Sequence, residues 1–205
     1  MWILEREKRT DFFITINITT ENTRKLKRLQ LSDKKNKNMI RFEKFEKSDY
    51  EKLISWVDSE ESMIQFSGKV FTYPITKEQL DKYVSAENRL IYKVINTVTS
   101  EVIGHAELNN IDNVNRNARI CRILIGDLKN RNKGFGKEII NKLVRIGFVD
   151  LKLHRIDLGV FDFNLQAIKC YETCGFEIEG KHKDISRFGG KYWSVYNMSI
   201  INQEI

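Results

Sequence analysis

An apolar run from Ile120 to Leu128 leads into the turn Arg131-Asn132-Lys133-Gly134-Phe135-Gly136. An amphipathic run carrying Ile139, Ile140, Leu143, Val144 and Phe148 follows at once. Strand, glycine turn and helix in that order gather unpaired backbone N–H groups and the positive end of a helix dipole at one point, which suits a phosphate or pyrophosphate. Gly134 and Gly136 let the backbone approach such an anion, and Arg131 and Lys133 add charge. The same pattern can also serve as a plain tight turn into a helix.

Spacing narrows the choice of ligand. A Walker loop needs a glycine five residues before a Gly-Lys pair, and Gly136-Lys137 has Arg131 there. A dinucleotide fingerprint needs a third glycine three residues after the second, and that position holds Ile139. What remains is Arg-x-x-Gly-x-Gly. A second constellation lies downstream. Val160-Phe161-Asp162-Phe163 ends a strand, Asn164 stands at a helix cap, Ala167, Ile168 and Tyr171 share one side of a short helix, and Gly175-Phe176 closes it.

With Arg131-x-x-Gly134-x-Gly136 followed by Asn164-x-x-Ala167, Tyr171 and Gly175-Phe176, the chain resembles the GNAT family of N-acetyltransferases from about Met39 onward. Leu153-His154-Arg155-Ile156, Phe71-Thr72-Tyr73-Pro74-Ile75-Thr76 and Phe188-Gly189-Gly190-Lys191-Tyr192-Trp193 resemble its RimJ/RimL-type branch, which also holds polyamine and antibiotic acetyltransferases. The resemblance implies an α/β (α+β) fold: a mixed, mostly antiparallel central sheet, helices on both faces, and a cofactor cleft where two strands splay apart.

The hydrophobic pattern predicts compatible elements. Strands are expected near Ile40–Phe45, Arg89–Asn96, Val102–Ile111, Ala118–Ile125 and Arg155–Phe161, with a closing pair, Phe176–Ser186 and Tyr192–Ile201, around Gly189-Gly190. Ala118–Ile125 is the most continuously apolar and therefore central. Helices are expected after Ser48-Asp49, over Ser59–Phe66, after Thr76, from Gly134 to Leu151, and after Asn164. No repeat or second domain is apparent, and residues 39–205 read as a single N-acetyltransferase domain.

Composition limits the partners. Residues 1–38 hold ten Lys/Arg against five Asp/Glu, whereas the other 167 residues hold 25 against 23. The basic excess therefore belongs to a leader that reads as flexible and dispensable, with Met39 as an alternative start, and no nucleic-acid partner is expected. Phe12–Ile18 is too short and too polar to span a bilayer, so no membrane partner is expected either. Cys121, Cys170 and Cys174 form no paired framework or metal cluster, which predicts a cytoplasmic protein without metal. Cys170 reads as a buried structural thiol.

The resemblance implies acetyl-CoA as co-substrate and a primary amine as acceptor, either a protein N-terminus or a small molecule such as a polyamine or aminoglycoside. A non-catalytic acyl-CoA sensor on the same scaffold is the alternative, and homodimerisation stays open. The turn Arg131, Asn132, Lys133, Gly134, Phe135, Gly136 and Lys137, together with Asn164 and Ala167, would hold the cofactor, and backbone of Ile123, Leu124 and Ile125 would pair with its pantetheine arm. Tyr171 would protonate the departing thiolate, though at helical spacing it could equally pack helix on sheet. Some relatives carry a glutamate twelve residues before that tyrosine; here the position is Gly159. Glu107, on one strand face with His105, is a substitute candidate for the base, with a solvent-facing strand charge as its alternative reading and a water chain as an equally open base. Phe66, Phe71 and Tyr73 could wall an acceptor pocket or pack a helix onto the sheet, and Asp58, Glu60 and Glu61 read as a solvated helix start.

Overall fold

The structure, a computed structural model, describes residues 39–203. The expectations for the leader at 1–38 lie outside the described residues. In chain order the elements are β1 (Ile40–Lys44), α1 (Tyr50–Trp56), α2 (Glu60–Ser67), α3 (Lys77–Ser85), β2 (Leu90–Asn96), β3 (Val102–Asp112), β4 (Asn117–Ile125), α4 (Phe135–Arg145), β5 (Arg155–Phe161), α5 (Leu165–Thr173), β6 (Glu177–Phe188) and β7 (Lys191–Ile201).

Helix starts follow local capping chemistry. Ser59 and Ser62 form a reciprocal capping box at α2, which puts Glu60 and Glu61 in its first turn as expected. Thr76 accepts from the Gln79 N–H at 3.3 Å to open α3, and Asn164 accepts from the Ala167 N–H at 3.1 Å to open α5.

The seven strands form one sheet in the order β1-β2-β3-β4-β5-β7-β6. Every neighbouring pair is antiparallel except β4–β5. β4 is the fourth of seven, the central place its sequence predicts. Side chains alternate across each strand, so β3 sorts the two helical layers. His105 and Glu107 meet Tyr83 of α3, which puts α3 on their face. Beneath α1–α3 lies a core of Phe45, Tyr50, Leu53, Val57, Met63, Phe66, Phe71, Ile75, Leu80 and Tyr83. On the other layer, α4 buries Ile139, Ile140, Leu143 and Val144 and packs against β1, β3, β4 and α5. β6 is an exposed edge, and its charges (Glu177, Glu179, Lys181, Lys183, Asp184, Arg187) discourage pairing with another chain.

The expected helix from Gly134 to Leu151 changes pitch. α4 ends at Arg145, and Ile146–Asp150 forms a wider turn closed by the Leu151 N–H on the Ile146 carbonyl at 2.9 Å. Gly147 lies against β5 there: a Cβ on it would stand 2.5 Å from Ile156 Cδ1. The wide turn thus falls where the backbone is pressed onto the sheet. Among the described residues, no helix is long and apolar enough to cross a membrane.

Candidate active site

The site begins where the sheet opens. β4 and β5 pair only from Asn117↔Arg155 to Ile120↔Leu158, although β4 continues to Ile125 and β5 to Phe161. Past that point β4 keeps β3 on one side, with Leu124 opposite His105 and Ile125 opposite Gly104, and has no strand on the other among the described residues. Arg122 lies at the irregular step of the β3–β4 ladder with φ 49°, and its bulge bends the strand away. The result is a cavity of about 910 Å³. Its walls come from the end of α2, from β4, from the turn before α4, and from β5 and α5.

At one end stands the start of α4. Gly134 adopts the left-handed conformation, φ 84°, and no side chain caps the helix. The first intrahelical bond runs from the Glu138 N–H to the Gly134 carbonyl, so the N–H groups of Phe135, Gly136 and Lys137 have no intrahelical partner. Gly134, Gly136, Arg131, Asn132 and Lys137 all line the cavity. Asn132 is tied to α5 through the side chain of Gln166, a lining residue the sequence reading had not named. Arg131 leans back on the carbonyls of Ile125 and Gly126 at 3.4 and 3.5 Å. An uncapped helix start, a glycine approach and an unpaired strand edge fit a long ligand with an anionic diphosphate and an amide arm.

At the seam stands Tyr171. It lines the cavity, its ring touches Phe176 with centroids 6.2 Å apart, and its hydroxyl has no hydrogen-bond partner among the described residues. Burial, reinforced by the neighbouring thiols Cys170, Cys174 and Cys121, pushes its phenol well above the ordinary range. It therefore stays protonated and able to donate. Cys170 lines the same wall and is partly exposed, a correction to its reading as a buried thiol; Cys174 is the buried one. A hydrogen bond with Cys174 brings the Cys170 thiol down to about 7 and raises its partner.

Other expected residues fall into place on different terms. Ile123, Leu124, Ile125, Phe135, Asn164 and Ala167 line the cavity, and Asn164 is at the same time the cap of α5. Lys133 belongs to the turn, yet it is not part of the cavity wall. Phe66 reaches the wall, Phe71 is core, and the Tyr73 hydroxyl is spent on the Asp58 carbonyl at 2.9 Å.

Glu107 needs correction on both readings. It neither faces solvent nor lines the cavity, being fully buried. Its carboxylate accepts from Tyr83 at 2.6 Å and from Arg122 Nε, and it faces Arg89 at 3.3 Å. Among the described residues no Asp, Glu or His lines the cavity. No group of three or more His, Cys, Asp or Glu gathers as a metal site among them either.

Arg119, Cys121, Phe161 and Val195 also line the cavity and were missed. The available signal was Arg119 itself, a charge inside the apolar strand Ala118-Arg119-Ile120-Cys121.

Comparison with known proteins agrees with this geometry. The model of the acetyltransferase (GNAT) domain matches residues 42–196. The uncharacterised N-acetyltransferase p20 of Bacillus licheniformis is 34% identical over 113 residues, covering 55% of this chain and 62% of its own length. Spermidine N(1)-acetyltransferase of Vibrio cholerae is 32% identical over 130 residues, covering 62% of this chain and 72% of its own length. A crystal structure of spermidine N-acetyltransferase from Vibrio cholerae in complex with CoA and spermine aligns with a TM-score of 0.69 at 25% identity, over 80% of this chain and 95% of that one. With a family match over most of its length and the splayed sheet described above, this chain belongs to the GNAT family and carries an N-acetyltransferase domain.

Proposed function

We propose that this protein binds acetyl-CoA in the split between β4 and β5 and passes the acetyl group to a primary amine. The observation that carries the reading is Tyr171: a protonated phenol whose hydroxyl has no hydrogen-bond partner among the described residues, on the wall of the same cavity as the uncapped start of α4. The diphosphate rests on the N–H groups of Phe135, Gly136 and Lys137, with Arg131 and Lys137 as counter-charges. The amide arm runs along Ile123–Ile125, where β4 has lost its β5 neighbour. Asn164 and Ala167 form the opposite lip.

The chemistry follows from what lines the cavity. The neutral amine attacks the thioester carbonyl and the C–N bond forms. The tetrahedral oxyanion is stabilised by backbone N–H at the β4 edge. The C–S bond then breaks, and Tyr171 gives its proton to the departing thiolate. Since no carboxylate or imidazole among the described residues lines the cavity, water receives the proton lost by the amine. Three free thiols suit a reducing, cytoplasmic setting.

The test is release of free thiol from acetyl-CoA in the presence of spermidine, an aminoglycoside and short peptides, alongside calorimetric titration with CoA. Saturable CoA binding with amine-dependent thiol release is expected. Absence of both would reject the assignment.

A further inference from the structure

We infer that Arg119 selects the acceptor by binding a carbonyl oxygen on the carbon next to the attacking amine, so that the acceptor class is an α-amino carbonyl compound. This rests on the acetyl transfer proposed above and names its second substrate.

Arg119 stands one residue before the last β4–β5 pair, directly opposite Asp157. Its Nη1 donates to the Asp157 carboxylate and, at 3.1 Å, to Asn197 Oδ1, so one edge of the guanidinium is fixed across three strands. Nη2 lies over Gly159: a Cβ there would stand 2.7 Å from it and 3.3 Å from Val195 Cγ1. Nη2 itself has no hydrogen-bond partner among the described residues. Arg119, Gly159, Val195 and Phe161 line the cavity together. The missing side chain at Gly159 is therefore what leaves room for an oriented, half-used guanidinium.

Direction follows from period two. Arg119 and Cys121 point to the same face of β4, and Cys121 is close enough to act on the Tyr171 phenol. Arg119, Cys121 and Tyr171 all line the same cavity.

Charge decides the ligand. Asp157 already balances Arg119, so what the cavity gains is directional N–H donors. Such donors suit a carboxylate or amide oxygen. They do not suit a second ammonium group, and the wall holds Arg119, Arg122, Arg131 and Lys137 with no carboxylate among the described residues. A polyamine's further ammonium groups are donors only and offer Nη2 nothing to bind. An amino acid or a peptide amino terminus brings one amine and one oxygen acceptor.

The test compares phenylalanine, phenylalaninamide, 2-phenylethylamine and spermidine as acceptors, in the wild type and in the Arg119→Gln and Gly159→Ala variants. One hydrogen bond to a charged donor predicts kcat/KM about 10- to 100-fold higher for a carbonyl-bearing acceptor than for 2-phenylethylamine, with spermidine grouped with the plain amine. Preference for phenylalanine indicates a free amino acid, and preference for phenylalaninamide indicates a peptide terminus. Arg119→Gln should bring the ratio close to one, mainly through KM. Gly159→Ala keeps the charge but pushes the guanidinium aside, and should lower the ratio too. CoA titration of each variant shows whether the fold survives; should Arg119→Gln fail to fold, Gly159→Ala carries the test. A wild-type ratio near one, a preference for spermidine, or a ratio retained in a folded Arg119→Gln protein overturns the inference while leaving acetyl transfer standing. No transfer to any acceptor and no CoA binding overturns both together.

Discussion

Tyr83 donates its hydroxyl to Glu107 Oε2 across 2.6 Å, and Arg122 donates to the same oxygen from the opposite strand. Burial and the Glu107 charge hold the Tyr83 phenol far above its ordinary range, so it remains a donor. Arg89 and Arg122 both stack near the Tyr83 ring, at 5.2 and 5.3 Å from its centroid. The cluster joins α3, β3, β4 and the residue before β2, and reaches the cavity wall at Arg122.

Removing its anion should therefore act on stability first. Glu107→Ala leaves the buried Arg122 and the half-buried Arg89 without their counter-charge and should cost about 3–5 kcal/mol. Urea unfolding monitored by tryptophan fluorescence measures it. A Glu107→Gln protein of wild-type stability but no turnover would instead mark Glu107 as part of the chemistry.

Tyr171→Phe removes a hydroxyl that makes no hydrogen bond among the described residues, so the fold should be unaffected. Loss of a proton donor to the leaving thiolate predicts a fall in kcat of about 10²-fold or more with CoA affinity nearly constant. Steady-state kinetics with calorimetry separates the two, and unaltered kcat would take Tyr171 out of the reaction.

Gly134→Val tests the start of α4. Its φ of 84° is unfavourable for a β-branched residue and costs about 1–2 kcal/mol. The backbone should also be drawn out of position at the turn, weakening CoA binding by ~10-fold or more. Calorimetric titration checks the affinity, and thermal melting checks the strain.

His105 gives a pH signature. Burial brings its imidazole down to about 4, partly opposed by its bond to the Arg122 carbonyl at 2.8 Å. The unfolded chain binds the proton more readily, near pH 6.5, so this contribution is fully present above that value and is lost as pH falls towards 4. The full shift corresponds to about 3 kcal/mol. Glu179, held at about 2 chiefly by Arg155, loses its contribution at lower pH, between about 4.5 and 2. Melting temperatures across pH 4–7 should decline towards acid in the wild type and much less in a folded His105→Asn variant.

The sequence was most legible where local chemistry is decisive. The caps at Ser59, Thr76 and Asn164, the left-handed Gly134 and the alternation along β3 each depend on neighbours a few residues away. The turn residues Gly134 and Gly136 and the helix residues Asn164, Ala167 and Tyr171 do come together around one cavity. What could not be read depends on strand order. Glu107 looks like a surface charge until Arg89 and Arg122 arrive from the strands on either side. Gly159 looks like a simple gap until Arg119, 40 positions earlier, is seen to occupy it. Neither relationship leaves a periodicity, because each joins segments distant along the chain.

The seam between β4 and β5 has a mechanical consequence. Among the described residues, strand pairing joins the two halves of the sheet through only the four residue pairs from Asn117↔Arg155 to Ile120↔Leu158. Beyond that spine the two halves lie like the covers of a book, joined by side-chain and helix contacts such as Asn132 with Gln166. A molecule lying along Ile123–Ile125 and touching Asn164 on the facing lip would bind the covers together. Amide hydrogens bordering the gap should then exchange more slowly when CoA is present, with those at the outer rim of the sheet left as they were.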